Sequence, residues 1–420
     1  MALRWTEMLT DLRPLRYSAD FRRLWAGATV AQLGQQMSAV AIAYQVYVLT
    51  GSTFAVGLVG LYGLVPMIVF GLYGGAIVDA FDRRTVALVA SSGLWAVSLA
   101  LLAQAVLDIG SVGLLYGIIA VQSGCFAVNS PARQAILPRL LPLELLPAAN
   151  ALTSASFNLG FTVGPLVAGV LIAWQGVTWT YAVDAVVFTA ALYALVRLPP
   201  VPPSGGTGRV PGLSSVVDGL RFLRAAPNLR MTFVVDLCAM VLAQPRALFP
   251  ALALTVFAGG ASSLGLLQAA PAIGSLLAFA VSGWMGRVHR QGFVIVAAVA
   301  AYGVAVALAG VAAIGAPGVI WLTVALLAAS GSADMISSNY RNTVLQAAAP
   351  DEMRGRLQGV FTVVVVGGPR LGDFLIGSVA SVVGDEWAMV YGGVACVAGL
   401  ALAVAASRRF LAYDSRNPQP

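Results

Sequence analysis

A chain of 420 residues with 59% hydrophobic side chains, 10% charged ones and a mean hydropathy of +0.86 is too apolar for a soluble fold, in which about a quarter of residues are charged. Its net charge of +7 comes from 24 arginines, with no lysine, against 17 acids, and their placement argues for membrane topology and against nucleic acid as a partner. Cys125, Cys238 and Cys396 lie in apolar runs and the one histidine, His289, lies in a basic turn. Neither a disulfide framework nor a metal or catalytic set follows, so no metal, cofactor or enzymatic activity is expected.

At the N-terminus, Trp5, Met8, Leu9 and Leu12 recur at helical spacing beside Glu7, Asp11 and Arg13. Residues 1–20 thus read as an amphipathic segment on the membrane surface, without a cleavable signal pattern. Twelve apolar runs follow, at 22–48, 53–78, 85–107, 111–130, 149–173, 177–197, 230–256, 262–285, 292–314, 317–338, 357–383 and 387–406. Each reaches the roughly 20 residues that a helix needs to cross the hydrocarbon layer. They predict an all-α integral membrane protein with six-helix bundles at 21–198 and 229–407 and a tail at 408–420. Pro199, Pro200, Pro202 and Pro203, then Ser204, Gly205 and Gly206, mark a linker over 199–228. Within it Leu213, Val216, Val217, Leu220 and Leu223 form one helical face opposite Asp218, Arg221 and Arg224, a second interfacial helix.

With both termini in the cytoplasm, every arginine falls on the inner side or at the inner end of a span, except Arg246 and Arg370, which lie inside spans. That asymmetry supports the count of twelve. The chain also repeats itself 208 residues later. Arg133 falls on Arg341, Leu137 on Leu345, Pro142 on Pro350, Glu144 on Glu352, Gly160 on Gly368, Gly164 on Gly372, Gly169 on Gly377, and Gly75 on Gly283. Two sequence-related halves are the mark of many transporters. Arg133, Glu144, Arg341 and Glu352 are expected in matching cytoplasmic loops.

Two motifs carry a resemblance. The run Gly75-Ala-Ile-Val-Asp79-Ala-Phe-Asp-Arg83-Arg84 is similar to the loop signature of the major facilitator superfamily, with Ala80 and Asp82 as departures. In the fifth span, Gly160-Phe-Thr-Val-Gly164-Pro165-Leu-Val-Ala-Gly169 resembles that superfamily's antiporter motif, with Ala168 replacing a glycine. Gly160 and Gly164 also form a small-xxx-small surface for plain helix packing. The superfamily's fourth-span arginine is missing, since Ile118 and Ile119 stand there. Asn129-Ser-Pro-Ala-Arg133-Gln-Ala-Ile-Leu-Pro138 and Pro369-Arg370-Leu371-Gly372-Asp373 look like the enterobactin-exporter-like and macrolide-efflux-like branch. The resemblance spans residues 18–410 and implies two pseudo-symmetric six-helix bundles around a central cavity.

Charges inside a span cost ~2.5–3.5 kcal/mol and usually face a cavity or a partner. Asp236, Arg246, Arg370 and Asp373 are therefore candidates for substrate or ion coupling. Arg370 is expected to hold Asp373 or Asp236 as a carboxylate; a fixed structural ion pair is the alternative. Asp334 is expected to cap a helix end or pair with Arg341, and Asp184 has no assigned role. Gln32, Gln36 and Tyr44 in the first span, with Gln35, offer polar points, as does Gln122 in the fourth. The resemblance implies a monomeric secondary transporter in the cytoplasmic membrane, exporting a drug-like, macrolide-like or siderophore-like compound in exchange for protons or sodium. Import of a small metabolite is the alternative, and a non-transporting receptor or scaffold the rival from another class.

Overall fold

In lipid, backbone N–H and C=O groups have no water to bond, so a chain this apolar satisfies them within helices. The computed structural model of the protein describes residues 11–202, 213–315, 320–416 and 419. Side chains at 72, 74–76, 79, 213–217, 219, 351–352, 354–356, 358–359, 361–363 and 366 fall outside that description. After a short α1 (Arg13–Tyr17) come α2 (Ala19–Thr50), α3 (Thr53–Ala80), α4 (Arg83–Val106), α5 (Val112–Leu140) and α6 (Leu146–Val196). The linker helix α7 (Leu213–Ala225) leads to α8 (Pro227–Leu242) and the single turn α9 (Phe249–Ala251). Then follow α10 (Gly260–Ala280), α11 (Gln291–Gly315), α12 (Ile320–Ala348), α13 (Asp351–Val383) and α14 (Asp385–Ala406).

Among the described residues, nine segments are long and apolar enough to cross a membrane. One of them, Leu143–Val196, has 54 residues and holds the predicted fifth and sixth spans. Gly176 divides it with φ +79°, a left-handed conformation that favours glycine. Trp174 and Trp179 flank that turn and are exposed, as aromatic residues at a membrane interface are. α2 and α13, with 32 and 33 residues, coincide with the predicted first and eleventh spans but lie outside the nine. The predicted surface residues Trp5, Met8 and Leu9 lie outside the described residues, as do linker positions 203–212.

The 208-residue repeat reappears in the helices. α2 and α8 begin at 19 and 227, α4 and α11 at 83 and 291, and α5 and α12 run 112–140 and 320–348. Gly176 recurs as Gly384, again with positive φ. Two predicted ends move: the fourth and tenth spans were set at 130 and 338, yet α5 and α12 continue to 140 and 348. Both helices have 29 residues, more than the roughly 20 that the hydrocarbon requires. This relocates Arg133 and Arg341 from the predicted loops into helices. Glu144 lies in a 3-10 turn, Leu143–Leu145, and Glu352 in the first turn of α13.

The chain divides into two units, residues 1–41 with 69–210, and residues 42–68 with 211–420. In the first, Leu24, Val86, Ala87, Ala132, Ile136 and Leu195 form one apolar cluster among α2, α4, α5 and α6. In the second, α10 and α12 meet through small residues. Ser332 donates to the Gly274 carbonyl at 2.8 Å and Ser275 to that of Gly331 at 2.9 Å. A β-carbon at Gly331 would run into the Pro271 backbone. Gly331→Ala should therefore destabilise the protein by about 1–3 kcal/mol, read as a lower unfolding midpoint in detergent; an unchanged midpoint would refute this close packing.

Candidate functional site

In the first unit, α2 and α6 run side by side through a polar seam. Trp25 Nε1 donates to the Leu152 carbonyl at 3.1 Å and Thr29 to Ser156 Oγ at 2.8 Å. One and two turns on, Gln32 and Gln36 lie over Gly160 and Gly164; a β-carbon on either glycine would come 2.6 Å from the glutamine above it. Two separate predictions, the polar points of the first span and the glycine motif of the fifth, thus meet. Pro165, Ala168 and Gly169 are buried in the same helix. The second unit repeats the arrangement 208 residues later. Gly368 lies against Met240, and Gly372 against Met240 and Gln244.

Asp184, on α6 beyond the Gly176 turn, is fully buried and accepts hydrogen bonds from Ser38 at 2.7 Å and Ser98 at 2.8 Å. Its Oδ1 has no hydrogen-bond partner and rests against Gly34. The repeat positions exchange this pair: Leu242 replaces Gly34 and Gly392 replaces Asp184, and Gly392 takes the Leu242 carbonyl against it. Asp184 therefore fills a notch that glycine opens in the opposing helix.

The signature between α3 and α4 is anchored through a residue that departs from the family pattern. Asp82 caps α4 by accepting from the Thr85 amide at 2.8 Å, and its other oxygen accepts from the Val201 amide at 2.7 Å. The Arg83 amide donates to the Val201 carbonyl at 3.0 Å and Arg84 Nη2 to that of Val196 at 2.6 Å. The surroundings of Gly75 and Asp79 lie outside the described residues. Asp82→Ala removes both acceptances and should cost about 1–2 kcal/mol. Limited proteolysis after residue 198 should quicken; an unaltered cleavage rate would argue against the tether.

The second unit gathers the charges. Arg341, 5% exposed, forms an ion pair with Asp236, 3% exposed, and a longer one at 3.6 Å with Asp334. The expected pairing of Asp236 with Arg370 is therefore replaced by one with Arg341. The extra turns of α12 carry that arginine back alongside α8, beyond the reach of span lengths read from hydropathy. The Asp334 side chain is 37% exposed, whereas Asp236 Oδ2 and Arg341 Nε are buried without a hydrogen-bond partner.

Nor is the seventh span one helix. α8 stops at Leu242, because Pro245 lacks an amide hydrogen and restricts Gln244 before it. The break leaves backbone groups to be satisfied inside the protein. The Tyr302 hydroxyl donates to the Ala243 carbonyl at 3.3 Å, and the Ala247 amide donates to the Asp373 carboxylate. Arg246 and Arg370 act on that carboxylate electrostatically, so three of the candidates, one from the break after α8 and two from α13, form one group. Asp373 Oδ1 remains without a hydrogen-bond partner. The start of α3 packs on the same stretch of α13: Gly57 and Gly60 lie against Asp373 and Arg370, and Thr53 donates to Asp385 at 2.5 Å. Tyr44 and Gln122 are half-buried in α2 and α5. Sequence reasoning missed Asp385, Thr53 and Tyr302, because none is an ion within a predicted span. The one signal available was Pro245, inside a predicted span and next to Arg246.

Buried ion pairs, broken helices and a two-fold internal repeat define a multi-pass membrane transporter of the major facilitator type. Solved structures agree with that fold. A point mutant of the nucleoside transporter NupG matches with a TM-score of 0.76 at 11% identity, over 92% of this chain and 99% of that one. A bacterial homologue of the iron transporter ferroportin, in its inward-facing state, matches at 0.69 and 16% identity, over 94% and 98%. The chain belongs to the transmembrane secretion effector family, whose profile covers residues 9–419. It is 29% identical over 375 residues to the enterobactin exporter EntS of Citrobacter koseri, covering 89% of this chain and 88% of that one. The same exporter from Salmonella typhimurium is 28% identical over 376 residues, with equal coverage.

Proposed function

We propose that the chain is a secondary active exporter of a small amphiphilic compound, drug-like, macrolide-like or siderophore-like, working by alternating access in exchange for protons. The observation that carries this reading is the similarity to enterobactin exporters along 89% of the chain. Twelve spans form halves at 21–198 and 229–407, with both termini in the cytoplasm and the protein acting as a monomer in the cytoplasmic membrane. Asp373, between Arg246 and Arg370, takes up and releases the coupling proton. Protonation removes the anion that those arginines attract and so changes which helix arrangement is favoured. The ion triad around Arg341 sets the packing of α8 on α12. In the first half, Gln32 and Gln36 over Gly160 and Gly164 form the polar wall that the substrate meets, and Tyr44 and Gln122 are further candidate contacts.

A strain lacking the gene, screened against chemically diverse toxic compounds and assayed for secreted siderophore, tests substrate and direction together. Export predicts hypersensitivity or cellular retention, reversed by the restored gene. A strain that instead becomes resistant, or fails to accumulate an external compound, would make the protein an importer. Sealed proteoliposomes with no gradient-dependent flux of any screened compound would favour a receptor.

A further inference from the structure

The two halves place the same arginine at the same turn of equal helices, yet surround it differently. Arg341 on α12 is neutralised within its own unit by Asp236 and Asp334. Its repeat counterpart, Arg133, sits at the corresponding turn of α5, and the positions matching the two acids hold Ala28 and Phe126. Because α2 and α8 begin in register, Ala28 stands at the helical turn that Asp236 occupies. Arg133 Nη2 donates to Ser91 Oγ at 3.2 Å, and Ser91 also receives Asn129 Nδ2 at 2.5 Å. The Arg133 Nε is buried without a hydrogen-bond partner, and among the described residues no carboxylate forms an ion pair with this arginine. A hydroxyl already serving another donor does not neutralise a guanidinium. A planar, permanently charged fork of five donors is built to take an oxyanion.

From this asymmetry we infer that Arg133 binds an anionic oxygen group of a ligand, a carboxylate or phosphate, in place of the acids its counterpart keeps within the chain. The group belongs either to the transported compound or to the headgroup of an anionic lipid. The first case deepens the export reading by giving the substrate a negative charge; binding, unlike that reading, is measurable without any transport.

The test uses the full-length protein in nanodiscs of zwitterionic phosphatidylcholine, with 1-naphthoate as the anionic probe and 1-naphthalenemethanol as its neutral match. Naphthoate should raise the unfolding midpoint of the wild type in a saturable way, and naphthalenemethanol should not. In Arg133→Gln the binding should weaken about tenfold or more, as for a lost charge-assisted hydrogen bond. Ala28→Asp, which keeps Arg133 but installs the acid found in the other half, should abolish it as well. If naphthoate is silent but added phosphatidylglycerol stabilises the wild type and neither variant, the oxyanion is a lipid headgroup. If neither probe separates the wild type from both variants, the inference is overturned, whatever the protein transports. Each variant is compared with its own ligand-free midpoint, so a loss of stability alone does not imitate a loss of binding.

Discussion

Replacing Arg341 by glutamine should lower stability by about 3–5 kcal/mol, the usual cost of stranding a buried charge. The cation is 5% exposed and stands between two acids. Without it Asp236, itself 3% exposed and already lacking a partner at Oδ2, is left as a buried carboxylate with no cation beside it. The attraction between Asp236 and Arg341 mostly offsets their desolvation, so removing both charges should cost far less than removing one. Arg341→Gln combined with Asp236→Asn should therefore recover more than half of the loss. Thermal unfolding of the single and double variants, treated as a double-mutant cycle, reads the coupling. Losses that simply add would show that the pair contributes nothing beyond its separate packing. Arg133→Gln provides the contrast, because that arginine has a hydroxyl partner and no acid among the described residues. Its ligand-free cost should stay near 1 kcal/mol.

Asp373→Asn should reduce flux driven by a pH gradient to the level of protein-free liposomes while leaving exchange of substrate across the membrane intact. Asparagine keeps the shape and can still accept from the Ala247 amide, but it cannot carry a proton or an anionic charge toward Arg246 and Arg370. Exchange needs only the helix rearrangement, whereas gradient-driven flux needs the protonation step, so the two assays separate coupling from folding. If Asp373→Asn and Asp236→Asn both keep gradient-driven flux, neither acid carries the proton. In that outcome the Arg246, Arg370 and Asp373 group is a structural brace for the break in the seventh span.

The helical class, the membrane location and the internal repeat were legible because each rests on a signal that survives without neighbours. Apolar runs of about 20 residues and matched Arg and Glu positions need no contact map. The same signals misplaced the ends of α5 and α12, since hydropathy marks where lipid ends and not where the helix does. The polar seam was half legible: Gln32 and Gln36 were visible as polar points and Gly160 and Gly164 as small ones. That each glutamine lies on one of those glycines follows from two helices in parallel register, which no single stretch encodes. Asp82, a departure from the family pattern in the sequence, proved to be the residue that caps α4 and receives the Val201 amide.

What the amino-acid order determined unaided is therefore the helical membrane class, the internal repeat and the inventory of costly charges. Only the tertiary structure decided how those charges are matched. Asp236 belongs to Arg341 and not to Arg370, Asp373 takes an amide released by a broken helix, and Asp184 fills a notch left by Gly34. The reason is range. Burial and helix formation are set by residues within a few turns of one another. An ion's partner is set by which distant helix stands opposite, 105 residues away in sequence for Asp236 and Arg341 and 146 for Ser38 and Asp184.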